Sequence, residues 1–115
     1  MSYRQRVGRR AEDRASEYLK KKGYTILGRN FRGGGGEIDL VALEGEVVVF
    51  VEVRYRRKGV WETPEESISP QKQRRLWQAA EYYLAEVLGE AKPARFDVIA
   101  IKGEEILHYR DAFRP

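Results

Sequence analysis

Apolar residues near the start of the chain recur at helical spacing. Val7, Ala11, Ala15, Tyr18 and Leu19 fall on one side of a helix predicted over about residues 4–22. Gly23 ends it, and Lys20, Lys21 and Lys22 suit the negative end of its dipole. The pattern then becomes strand-like. A strand is expected over about 24–30, followed by the glycine run Gly33–Gly36. That run precedes a strand rather than a helix, so it reads as a flexible loop and not as a phosphate cradle. Two long apolar strands follow, at about 36–43 and 46–55, joined by a tight turn at Glu44-Gly45. Residues 56–69 have turn chemistry and little periodicity. A second helix opens with Ser69 as its cap and Pro70 at the first helical position. Its buried stripe is Leu76, Ala80, Tyr83, Leu84 and Val87, and Gly89 stops it. FDVIAI at 96–101 is another strand, and about 105–109 a last short one. The order is α-β-β-β-α-β-β. Both faces of the paired strands are apolar, which predicts an α/β protein with a central sheet covered by helices on either side.

Two acids violate this pattern. Asp39 and Glu52 sit inside GEIDLVALEGEVVVFVEVR, residues 36–54, the most apolar stretch of the chain. Burying an unpaired carboxylate costs several kcal/mol, so a metal or a cationic partner is expected beside them. A two-residue turn at Glu44-Gly45 would set Asp39 opposite Phe50 and Glu37 opposite Glu52. Glu37, Asp39, Glu52 and Arg54 would then project from one face, with Ile38, Leu40, Val49 and Val51 on the other. Converging carboxylates repel one another, which raises a pKa or recruits a cation. A bound metal resolves this; so does simple pairing with Arg54 or an N-terminal arginine.

Composition narrows the chemistry. The 115 residues suit a single domain, 42% hydrophobic and 35% charged. The absence of cysteine removes disulfides and thiolate chemistry, and a single histidine, His108, removes histidine-clustered zinc sites. A metal here would need oxygen ligands, which means Mg²⁺ or Mn²⁺. No signal peptide is visible, and the longest apolar run, Val47–Val51, is too short to span a bilayer, so a cytoplasmic location without membrane contact is expected. Residues 1–32 carry ten Lys/Arg against three acids, although the whole chain is only +4. With the second basic cluster Arg54, Arg56, Arg57 and Lys58, this either contacts nucleic-acid phosphates or forms solvated surface. Lys72 lies at the leading edge of the second helix's buried stripe, where its amine either reaches the sheet or snorkels to solvent. Gln71 and Gln73 share that first turn. Asp97 reads as structural, paired with an arginine of the first helix, and Trp61 as a base-stacking or dimer-contact residue.

An acid on one strand followed by Glu-x-basic on the next resembles the signature of the PD-(D/E)xK nuclease superfamily. Asp39 matches its aspartate, Glu52 its glutamate, and Arg54 stands where that signature has lysine. GRRAEDRASEYLKKKGYTILGRNFR, GEIDLVA, VVFVEVRYR and SPQKQRRLWQAAEYYL together resemble the YraN-like family of small bacterial proteins, related to Holliday-junction resolvases. The resemblance implies a restriction-endonuclease-like three-layer core with a mixed sheet, metal held by Asp39 and Glu52, and Glu12 completing the site. It also implies a possible homodimer. Arginine at 54 can supply charge but not act as a base, and Lys72 is the candidate substitute.

The leading expectation is a Mg²⁺- or Mn²⁺-dependent nuclease acting on branched or junction DNA. Asp39, Glu52 and Glu12 would be metal ligands, Arg54 and Lys72 charge-stabilising or activating groups, and Arg9, Arg10, Arg56, Arg57 and Gln71 backbone contacts. Its rivals are a non-catalytic DNA-binding protein on the same fold, weakened by Arg54, and a protein-interaction module whose acids are salt-bridged.

Overall fold

Helix α1 runs from Tyr3 to Lys21 in the computed structural model, which describes residues 2–56, 63 and 67–114. Its start is fixed by a reciprocal cap: the Gln5 N–H donates to Ser2 Oγ at 3.2 Å, and the Ser2 N–H to Gln5 Oε1 at 2.8 Å. Strands β1 (Thr25–Gly33), β2 (Gly36–Glu44) and β3 (Val47–Arg56) follow, then helix α2 (Pro70–Tyr82). A π-helical turn, Tyr83–Leu88, prolongs α2 before β4 (Ala94–Lys102) and β5 (Glu105–Phe113). The sheet order is β1-β2-β3-β4-β5, with β3 and β4 parallel and every other pair antiparallel. This is the expected α-β-β-β-α-β-β order with a mixed sheet.

The two helices cover opposite faces. Ala11, Ala15 and Leu19 of α1 pack on Leu40, Val49, Val51 and Ile99, while Leu76, Ala79 and Ala80 of α2 pack on Val41, Phe50 and Phe96. The result is the three-layer α/β arrangement that apolarity on both strand faces requires. No described helix is long and apolar enough to cross a membrane.

Several elements differ from the sequence pattern for identifiable reasons. The β2–β3 turn is Gly45-Glu46, not Glu44-Gly45, because Glu44 pairs with Val47 and Gly45 takes φ +59°. The glycine run is a tight hairpin rather than a flexible loop. Gly34 and Gly35 have positive φ, and the turn presses against the main chain of α2. A Cβ on Gly36 would lie 2.5 Å from the Arg75 carbonyl oxygen, and one on Gly34 would lie 2.7 Å from that of Gln78. Gly36→Ala is therefore expected to destabilise the protein by about 1–3 kcal/mol in urea denaturation, as overpacking against main chain does. The stripe on α2 also changes at its end. The π-turn rotates the last residues, so Val87 is exposed and Leu88 packs on the core instead. Finally, β5 is nine residues long rather than a short terminal strand, because it pairs with β4 as far as Phe96↔Phe113.

Candidate functional site

The acids lie where β2 and β3 part company. Main-chain pairing between these strands runs from Glu44↔Val47 to Leu40↔Val51. Extended by one residue, the register sets Asp39 opposite Glu52, not Phe50 as a Glu44-Gly45 turn would require. Glu37 falls away from the pair; it is exposed and lies 3.6 Å from Arg32 of β1. At the point of separation, the Val53 N–H donates to Asp39 Oδ2 at 2.8 Å. A side-chain carboxylate thus takes a ladder donor that a carbonyl would otherwise accept. Alternation also breaks here: Ile38 packs on the α2 face with Val41, while Leu40 packs on the α1 face.

Glu52 points to the α2 side and is 6% exposed, so its carboxylate has to find partners within the protein. Lys72, at the first turn of α2, brings Nζ to 3.2 Å from Glu52 Oε1. Ser69 Oγ accepts the Lys72 N–H, capping α2 and fixing where that lysine begins its reach. Arg54 is further away, with Nη1 at 3.8 Å from the same oxygen. Its stronger bond is from Nη2 to the Ser67 carbonyl at 2.7 Å, which ties β3 to the segment entering α2. Lys72 is thus the closer cation to the buried glutamate, and Arg54 divides its guanidinium between charge and anchoring.

Burial, and then the neighbouring Glu52 charge, push the Asp39 pKa up to about 8. The Val53 N–H and Lys72 oppose this, while Glu12 adds to it. The setting of Asp39 thus disfavours its charge, the condition under which a carboxylate accepts a proton or a hard dication. Asp39 and Glu52 are the residues that could hold one. Glu12 contributes its field but is turned onto Arg29 at 3.6 Å, whose guanidinium also holds Asp13 at 2.7 Å. Among the described residues, no three acidic or histidine side chains converge closely enough to hold a metal ion by themselves. The pattern of the sequence does not single out Arg29; its signal is a cation on β1, the strand edging α1.

This electrostatic strain predicts a measurable pH dependence. The folded-state pKa of Asp39 lies above its unfolded value near 3.9, so the folded protein keeps a proton that the unfolded chain has lost between these limits. Stability attributable to Asp39 falls as pH rises through that window and stays low above it. In EDTA, Asp39→Asn should stabilise the protein by on the order of 2 kcal/mol at pH 9, and the gain should vanish toward pH 4. Urea denaturation across pH measures this directly.

The remaining candidates are more scattered. Arg9, Arg10 and Gln71 are exposed. Arg56 donates to the Tyr55 carbonyl at 3.0 Å, and Gln73 Nε2 caps the Ile68 carbonyl at 3.0 Å. Arg57, Lys58 and Trp61 lie outside the described residues. Asp97 does not pair with an arginine of α1. It is fully buried, with Arg95 Nε at 2.9 Å and His108 Nε2 at 2.7 Å.

The profile of the uncharacterised protein family UPF0102 matches residues 11–101. The chain belongs to the UPF0102 family. The UPF0102 span includes Glu12, Asp39, Glu52, Arg54 and Lys72, and leaves Arg9 and Arg10 outside it. A UPF0102 protein of Lachnoclostridium phytofermentans is 48% identical over 103 residues, 89% of this chain and 87% of its own. One from Symbiobacterium thermophilum is 47% identical over 97 residues, 84% and 82% of the two chains. One from Nitrosococcus oceani is 46% identical over 112 residues, 93% and 90%. The YraN-like resemblance is thereby established as UPF0102 membership.

Proposed function

We propose that this protein is a divalent-metal-dependent nuclease acting on DNA, with branched or junction DNA as its substrate class. The observation that carries the reading is a largely buried carboxylate pair at the point where two central strands separate. Lys72 Nζ stands 3.2 Å from Glu52, and the Asp39 pKa is pushed up to about 8. Asp39 and Glu52 would hold Mg²⁺ or Mn²⁺, with Glu12 adding negative potential from α1. A hard dication bound there would polarise a phosphate and lower the pKa of an attacking water. Lys72 supplies what Arg54 lacks. Its ammonium is a compact charge on a flexible stem, whereas the guanidinium is a planar fork held by the Ser67 carbonyl. Arg54, anchored to the Ser67 carbonyl, would then offer fixed positive charge to a scissile phosphate. Exposed Arg9, Arg10 and Gln71, with Arg56, would bind the flanking backbone. A two-fold homodimer would present paired sites to paired strands of a junction.

A second reading, a non-catalytic DNA-binding protein, is favoured by the engagement of Glu12 with Arg29 and of Arg54 with Ser67. One assay separates the two. Wild-type protein is incubated with four-way junction, flap and single-stranded DNA in Mg²⁺, Mn²⁺ or EDTA. Cutting in either metal and not in EDTA supports the nuclease; salt-dependent binding with no cutting in any condition supports the second reading.

A further inference from the structure

We propose that a notch between the start of α1 and the end of β3 receives an unpaired nucleobase of the bound DNA. This goes beyond the nuclease reading by naming what the enzyme would recognise beside the cut, and it rests on that reading for the identity of the ligand. The notch has a volume of 160 Å³ and is walled by Tyr3, Val7, Arg10, Arg14, Tyr55 and Ile101. A cavity of about 150 Å³ is enough to admit a benzene ring, so this space is scaled to one six-membered ring. Its chemistry suits a base. Tyr3 is 74% exposed and Tyr55 48% exposed, so two aromatic rings that could have been buried are left facing the opening. Aromatic faces and arginine planes are the surfaces on which unstacked bases rest. Arg14 is held in place by the Gly103 carbonyl, a fixed guanidinium wall, while Arg10 is exposed and positioned for the adjoining phosphate.

Its place in the fold connects it to the acids. Tyr55 follows Glu52 by three residues on β3, roughly 10 Å along the strand, and leaves the sheet on the α1 face while Glu52 leaves it on the α2 face. On α1, Arg10 of the notch and Glu12, whose charge reaches Asp39, belong to the same turn but project from different sides of the helix. The notch and the carboxylate pair therefore lie at one end of the sheet, on its opposite faces. A strand whose phosphate met Glu52 and Asp39 could pass a neighbouring base over the sheet end into the notch. A fully paired duplex has no such base to offer, so the geometry favours DNA with a tail, a gap or a fork.

The test uses the full-length protein in EDTA, with oligonucleotides carrying 2-aminopurine in a single-stranded tail or within a blunt duplex. Wild type should bind tailed DNA more tightly than blunt DNA and quench the tail fluorophore at one or two positions. Tyr3→Ala and Tyr55→Ala should each lower affinity for the tail by roughly 5- to 100-fold, the range found for base stacking on a single aromatic. Tyr55→Phe should restore both quenching and preference, because the stacking face is kept. Arg10→Gln should weaken tailed and blunt DNA alike. Equal affinity of wild type for both DNAs without quenching overturns the proposal, as do Tyr→Ala variants, folded by circular dichroism, that keep quenching and preference. The metal-free readout keeps this separate from catalysis. A protein that quenches but never cuts retains the notch and loses the nuclease, and one that cuts without quenching does the reverse.

Discussion

Replacing Asp39 by Asn and Glu52 by Gln together is expected to reduce metal-dependent cutting of junction DNA by at least about 10³-fold, while affinity for that DNA stays within a few-fold. The amides preserve shape. Asp39→Asn keeps an oxygen to accept the Val53 N–H, now received at 2.8 Å by the carboxylate, and Glu52→Gln keeps one for Lys72. What they remove is the pair of negative charges on which a hard cation depends. Binding should survive under the proposed function, which assigns it to the basic N-terminal third, and neutralising two acids only adds positive potential. Gel-based cleavage, paired with fluorescence anisotropy over a salt series, reads both quantities on one preparation. If the double variant cuts as fast as wild type, any cutting comes from elsewhere or from a contaminant, and the assignment of these acids fails.

The largest stability effect belongs to Asp97. It is fully buried and accepts from Arg95 Nε at 2.9 Å, His108 Nε2 at 2.7 Å and the Asp111 N–H at 3.0 Å. Arg95 continues the chain to Tyr24 Oη at 2.9 Å and to Glu44 at 2.8 Å, and His108 Nδ1 lies 3.2 Å from Tyr18 Oη. One carboxylate thereby ties α1, β2, β4 and β5 together. Burial pushes the Asp97 pKa upward, but the bonds from His108, Arg95 and the Asp111 N–H outweigh it and hold the group below the usual carboxylate range. Asp97→Ala should cost about 3–5 kcal/mol, the usual result of stripping one partner from a buried charged network. The sign with pH follows from the depressed value. The stabilisation is complete above the unfolded pKa near 3.9 and is lost as pH falls through the lower folded-state value. The gap between wild type and Asp97→Asn in urea midpoint should therefore be wide at pH 7 and close progressively below pH 4. A gap that does not narrow in acid would show that the network acts through packing alone.

Much of this was legible in the chain, and the exceptions have physical causes. The element order followed from apolar period and from Ser69-Pro70, and parity alone put Asp39 and Glu52 together. Moving the turn from Glu44-Gly45 to Gly45-Glu46 shifts the partner sum by two, and two residues restore the same strand face. The exact partner was not legible, because either dipeptide supplies a glycine. The hairpin nature of Gly33–Gly36 was hidden for a different reason. It depends on the approach of α2, which lies far along the chain, beyond β2 and β3. Likewise Asp97 draws its partners from Arg95 and from β5, a strand that the sequence pattern made too short to reach Asp111. Lys72 was visible as a residue on the correct edge of α2, but only the packed helix brings its amine to Glu52. In each case, local chemistry marked the residue and long-range packing chose its partner.

The bare tip of the β1–β2 hairpin has an effect well away from itself. Gly36 and Gly34 rest on the carbonyls of Arg75 and Gln78, about one and two turns beyond Lys72 on the same rigid rod. They act as a spacer of minimum thickness that sets how near the rod can lie to the strands. A single methyl group there would lift the rod and carry the ammonium off its acid. The electrostatic tuning of the carboxylates is thus gauged by two residues that carry no side chain and touch neither of them.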